Sequence, residues 1–137
     1  CYIGSSRPIA RTESDVMIRI LLAEDDEAMR LYLDRALVRS GYEVVSVDNG
    51  RAALDLFEAG ELFDLLLTDI VMPELDGIHL AQQVANIAPG TRVMFITGFS
   101  AVTLRAGQEM PNARVLSKPF HLRDLVLEVD RVFSEAA

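Results

Sequence analysis

Leu65-Leu66-Leu67-Thr68-Asp69-Ile70-Val71-Met72-Pro73-Glu74 is the stretch that decides the fold. The leading apolar run has the length of a buried strand, and Pro73 with Glu74 cannot continue it in regular form. Asp69 is therefore a carboxylate presented at a strand tip. The arrangement occurs again upstream, where Ile18-Arg19-Ile20-Leu21-Leu22-Ala23 runs into Glu24-Asp25-Asp26. If the two strands are neighbours in a parallel sheet, three or four carboxylates converge. Like charges that close raise one another's pKa values unless something positive sits among them. A bound divalent cation is the simplest answer.

Working outward, strand-like and helix-like segments alternate from Met17 onward, the pattern of a parallel sheet with helices on both faces. Met29, Leu33, Ala36 and Leu37 share one helical face, closed by Gly41. Val44, Val45 and Val47 read as a strand, and an Asp48-Asn49-Gly50 turn leads to a helix with Ala53, Leu56 and Phe57 inward and Gly60 at its end. After Asp69, Gly77 opens a helix through Leu80, Ala81 and Val84, broken by Pro89 and Gly90. Val93 to Ile96 form a buried strand ending at Thr97. A short, weak helix is expected around Ala101 to Ala106, then a brief strand at Val115 and Leu116 ending at Ser117, Lys118 and Pro119. The last helix spans Leu122 to Phe133, with Leu122, Leu125, Val129 and Val132 inward. In open sheets of this kind ligands bind beyond the carboxyl ends of the strands, where strand order reverses. Every polar residue singled out so far as a site candidate sits at such an end.

The chain has 137 residues, half of them hydrophobic, which suits one globular domain. Its net charge of −8, without a block of Lys or Arg, argues against direct nucleic-acid binding and against an anionic membrane surface. No apolar run approaches the roughly 20 residues of a membrane span, and a cytoplasmic location is expected. The single cysteine, Cys1, excludes a disulfide framework within one chain. Residues 1–16 are expected to be a disordered leader or an added extension, with Met17 the natural start and 17–137 a single domain.

Glu24, Asp25, Asp69, Thr97 and Lys118 together supply two acids for a cation, a nucleophilic carboxylate, a hydroxyl and an ammonium. That inventory suits phosphoryl transfer. A carboxylate attacks phosphorus to form an acyl phosphate, Mg²⁺ clamps the transferring group, and Lys118 and Thr97 stabilise phosphoryl oxygens. His79 and His121 read as exposed or capping residues, and Met72 and Met94 as packing. Phe99 is either core or an exposed anchor.

The segments LLAEDDEAMR, LLTDIVMPELDGI, MFITG and LSKPF, in this order and spacing, resemble the signature stretches of bacterial response-regulator receiver domains. The resemblance covers residues 18 to about 133. It implies a flavodoxin-like, doubly wound α/β fold of five parallel strands in the order 2-1-3-4-5 with five flanking helices. It also implies that Asp69 is the phospho-acceptor, that Glu24 and Asp25 are the acidic pair, and that Mg²⁺ is held by Glu24, Asp25, Asp69 and the Val71 backbone carbonyl, with Asp25 in contact with the ion. Thr97 and Lys118 match the switch hydroxyl and lysine, and a cis peptide between Lys118 and Pro119 is expected. Asp26 is assigned to starting the first helix.

One position departs from the pattern. Three residues before the lysine, where receivers often carry Tyr or Phe, this chain has Val115. The FITGF and LSKPFHLRDLV stretches are similar to stand-alone receivers of the CpdR type, which are linked to a histidine-kinase phosphorelay and to substrate delivery to the ClpXP protease. That resemblance implies a histidine kinase or histidine phosphotransferase as phosphodonor. It further implies ClpX as a partner, read by a face that includes Phe99, Val102, Leu104 and His121. The alternatives are a phosphorelay intermediate or phosphate sink, a degenerate receiver acting only as a binding module, and a small Mg²⁺-dependent aspartyl-phosphate phosphatase. Such phosphatases usually need an acid two residues after the nucleophile. Here that residue is Val71, so turnover of free substrates is not expected.

Overall fold

The computed structural model describes residues 17–72, 74–97, 113–117 and 121–135. Five parallel strands, β1 (Arg19–Ala23), β2 (Glu43–Val47), β3 (Leu65–Asp69), β4 (Arg92–Thr97) and β5 (Arg114–Ser117), form one sheet in the order β2-β1-β3-β4-β5. Among the described residues there are four helices: α1 (Glu27–Arg39), α2 (Gly50–Glu58), α3 (Gly77–Ile87) and a C-terminal helix, Leu122–Glu135. The flavodoxin-like strand order expected from the sequence is the one found. The short helix expected at Ala101 to Ala106 lies outside the described residues, as do Lys118, Pro119, Phe99, Val102 and Leu104.

A parallel sheet must be covered on both faces, because its strands carry apolar side chains to both. In β1, Leu21 and Ala23 join Ala53, Leu54 and Phe57 of α2, Ile78 and Ala81 of α3, and Phe95. Ile20 and Leu22 point the other way, joining Leu33 and Leu37 of α1 with Leu125, Val129 and Val132 of the C-terminal helix. β3, central in the sheet, is buried along its whole length. The site-bearing strand is thus paired on both edges and buried along its length, which limits how far Asp69 can wander.

The helix ends follow the capping chemistry of the sequence. Asp26, Asn49 and Asp76 accept backbone N–H groups of Met29, Ala52 and His79 at 3.1, 2.7 and 2.9 Å. Each such cap stabilises its helix by about 1 kcal/mol. Asn49 caps α2 directly, so Gly50 is the first helical residue rather than the corner of a turn. Gly41 and Gly60 take the left-handed conformation, with φ of 100° and 96°, just beyond α1 and α2. Beyond α1, Tyr42 N–H donates to Leu37 O at 3.2 Å and Gly41 N–H to Val38 O at 3.0 Å, which satisfies carbonyls the helix leaves open.

Tyr42 ties the start of β2 to the C-terminal helix. Its ring lies 6.3 Å from that of Phe133, and its hydroxyl donates to the Asp130 carboxylate. Burial, then the bond to Asp130 and the repulsion a phenolate would feel there, push its pKa above the ordinary tyrosine range. A raised folded-state pKa gives stability that is present below the unfolded value, about 10, and lost as pH rises toward the folded one. Wild type is therefore expected to lose stability more steeply than Tyr42→Phe above about pH 10. Chemical unfolding across that range measures it, and parallel curves for the two proteins would contradict it.

Candidate functional site

The register of the sheet sets the site. Ala23 pairs with Thr68 and Asp69 with Ile96, so Glu24 follows β1 at the level where Asp69 ends β3. Glu24 extends the ladder past its strand, its N–H donating to Val47 O at 3.1 Å. One carboxylate oxygen from each of Glu24, Asp25 and Asp69 lies within 4.8 Å of the others. Glu24 and Asp69 are buried and Asp25 is exposed, so the cluster opens to solvent on the Asp25 side. The expected convergence of acids at two strand tips is therefore present.

Asp26 turns away. Its carboxylate caps α1, and its own N–H donates to Glu24 Oε2 at 3.1 Å. Adjacent aspartates thus face different ways because only the second precedes a helix.

Asp69 is held from behind as well as along the strand. Thr68 Oγ1 donates to Asp69 O at 2.8 Å, Ile70 N–H to Ile96 O at 3.1 Å, and Gly77 N–H to Ile70 O at 2.8 Å. A Cβ at Gly77 would stand 2.3 Å from Asp69 O, so the first residue of α3 must be glycine for helix and strand tip to meet this closely. The intervening loop carries Glu74 at φ 73°, a left-handed conformation unusual for a residue with a side chain. Strain of this kind persists where surrounding structure fixes it, commonly beside functional sites.

Thr97 is buried at the end of β4, one residue past the partner of Asp69. Val71 is half-exposed in the loop after β3, and His121 is exposed with its carbonyl accepting the N–H of Asp124 at 2.9 Å at the start of the C-terminal helix. Val115 pairs with Phe95 and packs against its cluster, so the departure from the aromatic pattern is filled by a small core side chain. Reading the sequence missed what Gly77 does for Asp69. The available signal was a glycine at the first helical position, where other residues serve the helix better.

Residues 20–130 match the response regulator receiver domain family. The chain belongs to the response-regulator receiver family. Receivers bind Mg²⁺ at an acidic pocket, and the carboxylates here fit one: oxygens sharing a small ion at about 2.1 Å lie up to about 4.2 Å apart. A cluster within 4.8 Å closes on such an ion by small side-chain shifts. This receiver is 54% identical to the response regulator receiver protein CpdR of Brucella abortus over 121 residues, 88% of this chain and all of that one. It is 34% identical to the DNA-binding transcriptional regulator NtrC of Azospirillum brasilense, but spans only 24% of that protein. A response regulator receiver protein from Sinorhizobium medicae superposes with a TM-score of 0.79 at 28% identity, covering 86% of this chain and 95% of that one. The receiver domain of the hybrid histidine kinase CckA does so with 0.68 at 32% identity, covering 82% and 96%. Among the described residues, no helix is long and apolar enough to cross a membrane.

Proposed function

We propose that this receiver is a phosphorylation switch whose acceptor is Asp69 and whose output is protein binding. The observation that carries this is the convergence of Glu24, Asp25 and Asp69 within 4.8 Å at the carboxyl edge of a receiver sheet. A carboxylate oxygen of Asp69 attacks phosphorus of a phosphohistidine donor. The P–N bond breaks as the P–O bond of the acyl phosphate forms, and the freed imidazole nitrogen keeps the electron pair and takes up a proton. Glu24, Asp25, Asp69 and the Val71 carbonyl are the groups that would hold Mg²⁺. When bound, the ion supplies charge stabilisation to the phosphoryl oxygens. Thr97 and Lys118 are assigned the switch roles, drawn toward the new phosphate charge. A histidine kinase or histidine phosphotransferase is the donor.

Two aspartates give a clean test of the metal assignment. Asn caps a helix about as well as Asp, so Asp26→Asn leaves α1 intact while removing a charge. Asp25→Asn is expected to weaken Mg²⁺ binding by a much larger factor than Asp26→Asn in a calorimetric titration. The reverse order would move the metal site.

The finer reading is CpdR-like control of ClpXP proteolysis, supported by 54% identity over the whole length of the Brucella abortus protein. The unphosphorylated form binds ClpX and phosphorylation turns binding off, through a face that includes Phe99, Val102, Leu104 and His121. With Val115 in place of an aromatic switch residue, the change in affinity is expected to be about 1–3 kcal/mol, roughly 5- to 150-fold. Pull-down of ClpX by wild type, Asp69→Ala and phosphorylated protein tests it. Binding by none of them removes the ClpX reading, and tighter binding after phosphorylation reverses its sign. Rapid return of phosphate to a histidine donor would instead favour a relay or sink.

A further inference from the structure

Arg30 stands at the fourth residue of α1, near the helix end where the backbone dipole is positive and a cation has the wrong sign. The Arg30 N–H donates to Asp26 O at 2.8 Å and closes the first turn, while Nη1 reaches back to donate to Glu24 O at 2.9 Å. The bond is partly buried and goes to a backbone carbonyl, which places the guanidinium charge at the Glu24 peptide, in a segment that is acidic at every position from 24 to 27. Glu24 is the last residue in register before the chain turns, and Asp25 leaves from that turn.

We infer that Arg30 is a positioning residue of the metal-binding turn: it fixes the Glu24 carbonyl, hence the direction of Asp25, and its charge holds down the affinity of the acid cluster for a divalent cation. This rests on the reading of Glu24, Asp25 and Asp69 as the Mg²⁺ site. The two effects act in opposite senses on removal of the side chain. Losing the charge favours cation uptake, because a cation no longer repels the ion. Losing the bond loosens the turn, so a bound ion is less well aimed for transfer.

The test uses the full chain as wild type, Arg30→Met and Arg30→Lys. Mg²⁺ affinity is measured by calorimetry without phosphodonor, and the phosphorylation rate with acetyl phosphate at saturating Mg²⁺. Thermal unfolding of each variant is followed in parallel. Arg30→Met keeps an apolar stem and removes charge and donors. It is expected to bind Mg²⁺ roughly three- to tenfold more tightly at low salt, a gain that shrinks as salt is raised. Its phosphorylation at saturation is expected to be several-fold slower, whereas Arg30→Lys keeps wild-type Mg²⁺ affinity. A purely structural role would lower affinity and rate together, so that outcome overturns the inference, as does an Arg30→Met variant equal to wild type in either measurement. If wild type itself binds no Mg²⁺, the underlying site assignment falls with it. If wild type binds and the variants do not differ, only the role of Arg30 falls.

Discussion

Asp69→Ala and Asp69→Asn are expected to abolish phosphoryl uptake, with labelling by acetyl phosphate or a phosphohistidine donor falling below detection. Glu24 and Asp25 are also carboxylates at the same edge, yet neither is expected to substitute. Glu24 is buried with Oε2 accepting the Asp26 N–H, and Asp25 is assigned to the metal. Asp69 alone ends a strand buried throughout and is fixed by bonds to its own carbonyl and to the neighbouring peptide. Since effective concentration in such transfers comes from holding the nucleophile in line, chemistry follows the residue whose backbone cannot move. Asp69→Asn, nearly isosteric, guards against loss of fold. Labelling of that variant at the wild-type level would show that another carboxylate is the acceptor.

The second large effect comes from a residue with no side chain. Gly77→Ala places a methyl group 2.3 Å from Asp69 O and 2.9 Å from Ile70 Cα, and both are backbone atoms that cannot rotate aside. Overpacking against backbone is expected to cost about 3 kcal/mol or more, with phosphorylation slowed even in the fraction that folds because α3 must back away from the acceptor. Gly50→Ala meets Leu75 O at 2.0 Å and is expected to behave similarly in stability. At Gly90 a Cβ would meet nothing within 4 Å, so Gly90→Ala is expected to be neutral or to stabilise by up to about 1 kcal/mol. Urea unfolding of the three variants checks the order. A Gly77→Ala protein as stable as Gly90→Ala would contradict the close approach.

Legibility in the sequence tracked how local each cause is. The β3 run and Asp69 were readable because burial on both faces demands an uninterrupted apolar strand. The helix ends were readable because Gly41 and Gly60 act within a single turn of their own helices. Asp26 is set apart by its place one residue past the acidic pair that the resemblance implies, and its bond to Met29 N–H shows it capping α1. Gly50 reads as part of a turn, since nothing local distinguishes a turn glycine from the first residue of a helix capped by Asn49. The demands on Gly50 and Gly77 come from Leu75 and Asp69, across packing that no short window contains. Arg30 was invisible for the same reason: its spacing marks only a helix surface, whereas its reach to Glu24 O depends on how α1 leaves the strand. The resemblance supplied what spacing could not, the assignment of roles among acids of like chemistry.

Under the proposed function these strand-tip acids make Asp69 a Mg²⁺-dependent phosphoryl acceptor. Intact mass spectrometry of the wild-type chain after incubation with acetyl phosphate, with Mg²⁺ and then with the metal chelated, tests it most directly. One phosphoryl group is expected to add with Mg²⁺ and none without it; an unshifted mass with Mg²⁺ present, or equal labelling in the chelated sample, would overturn the assignment.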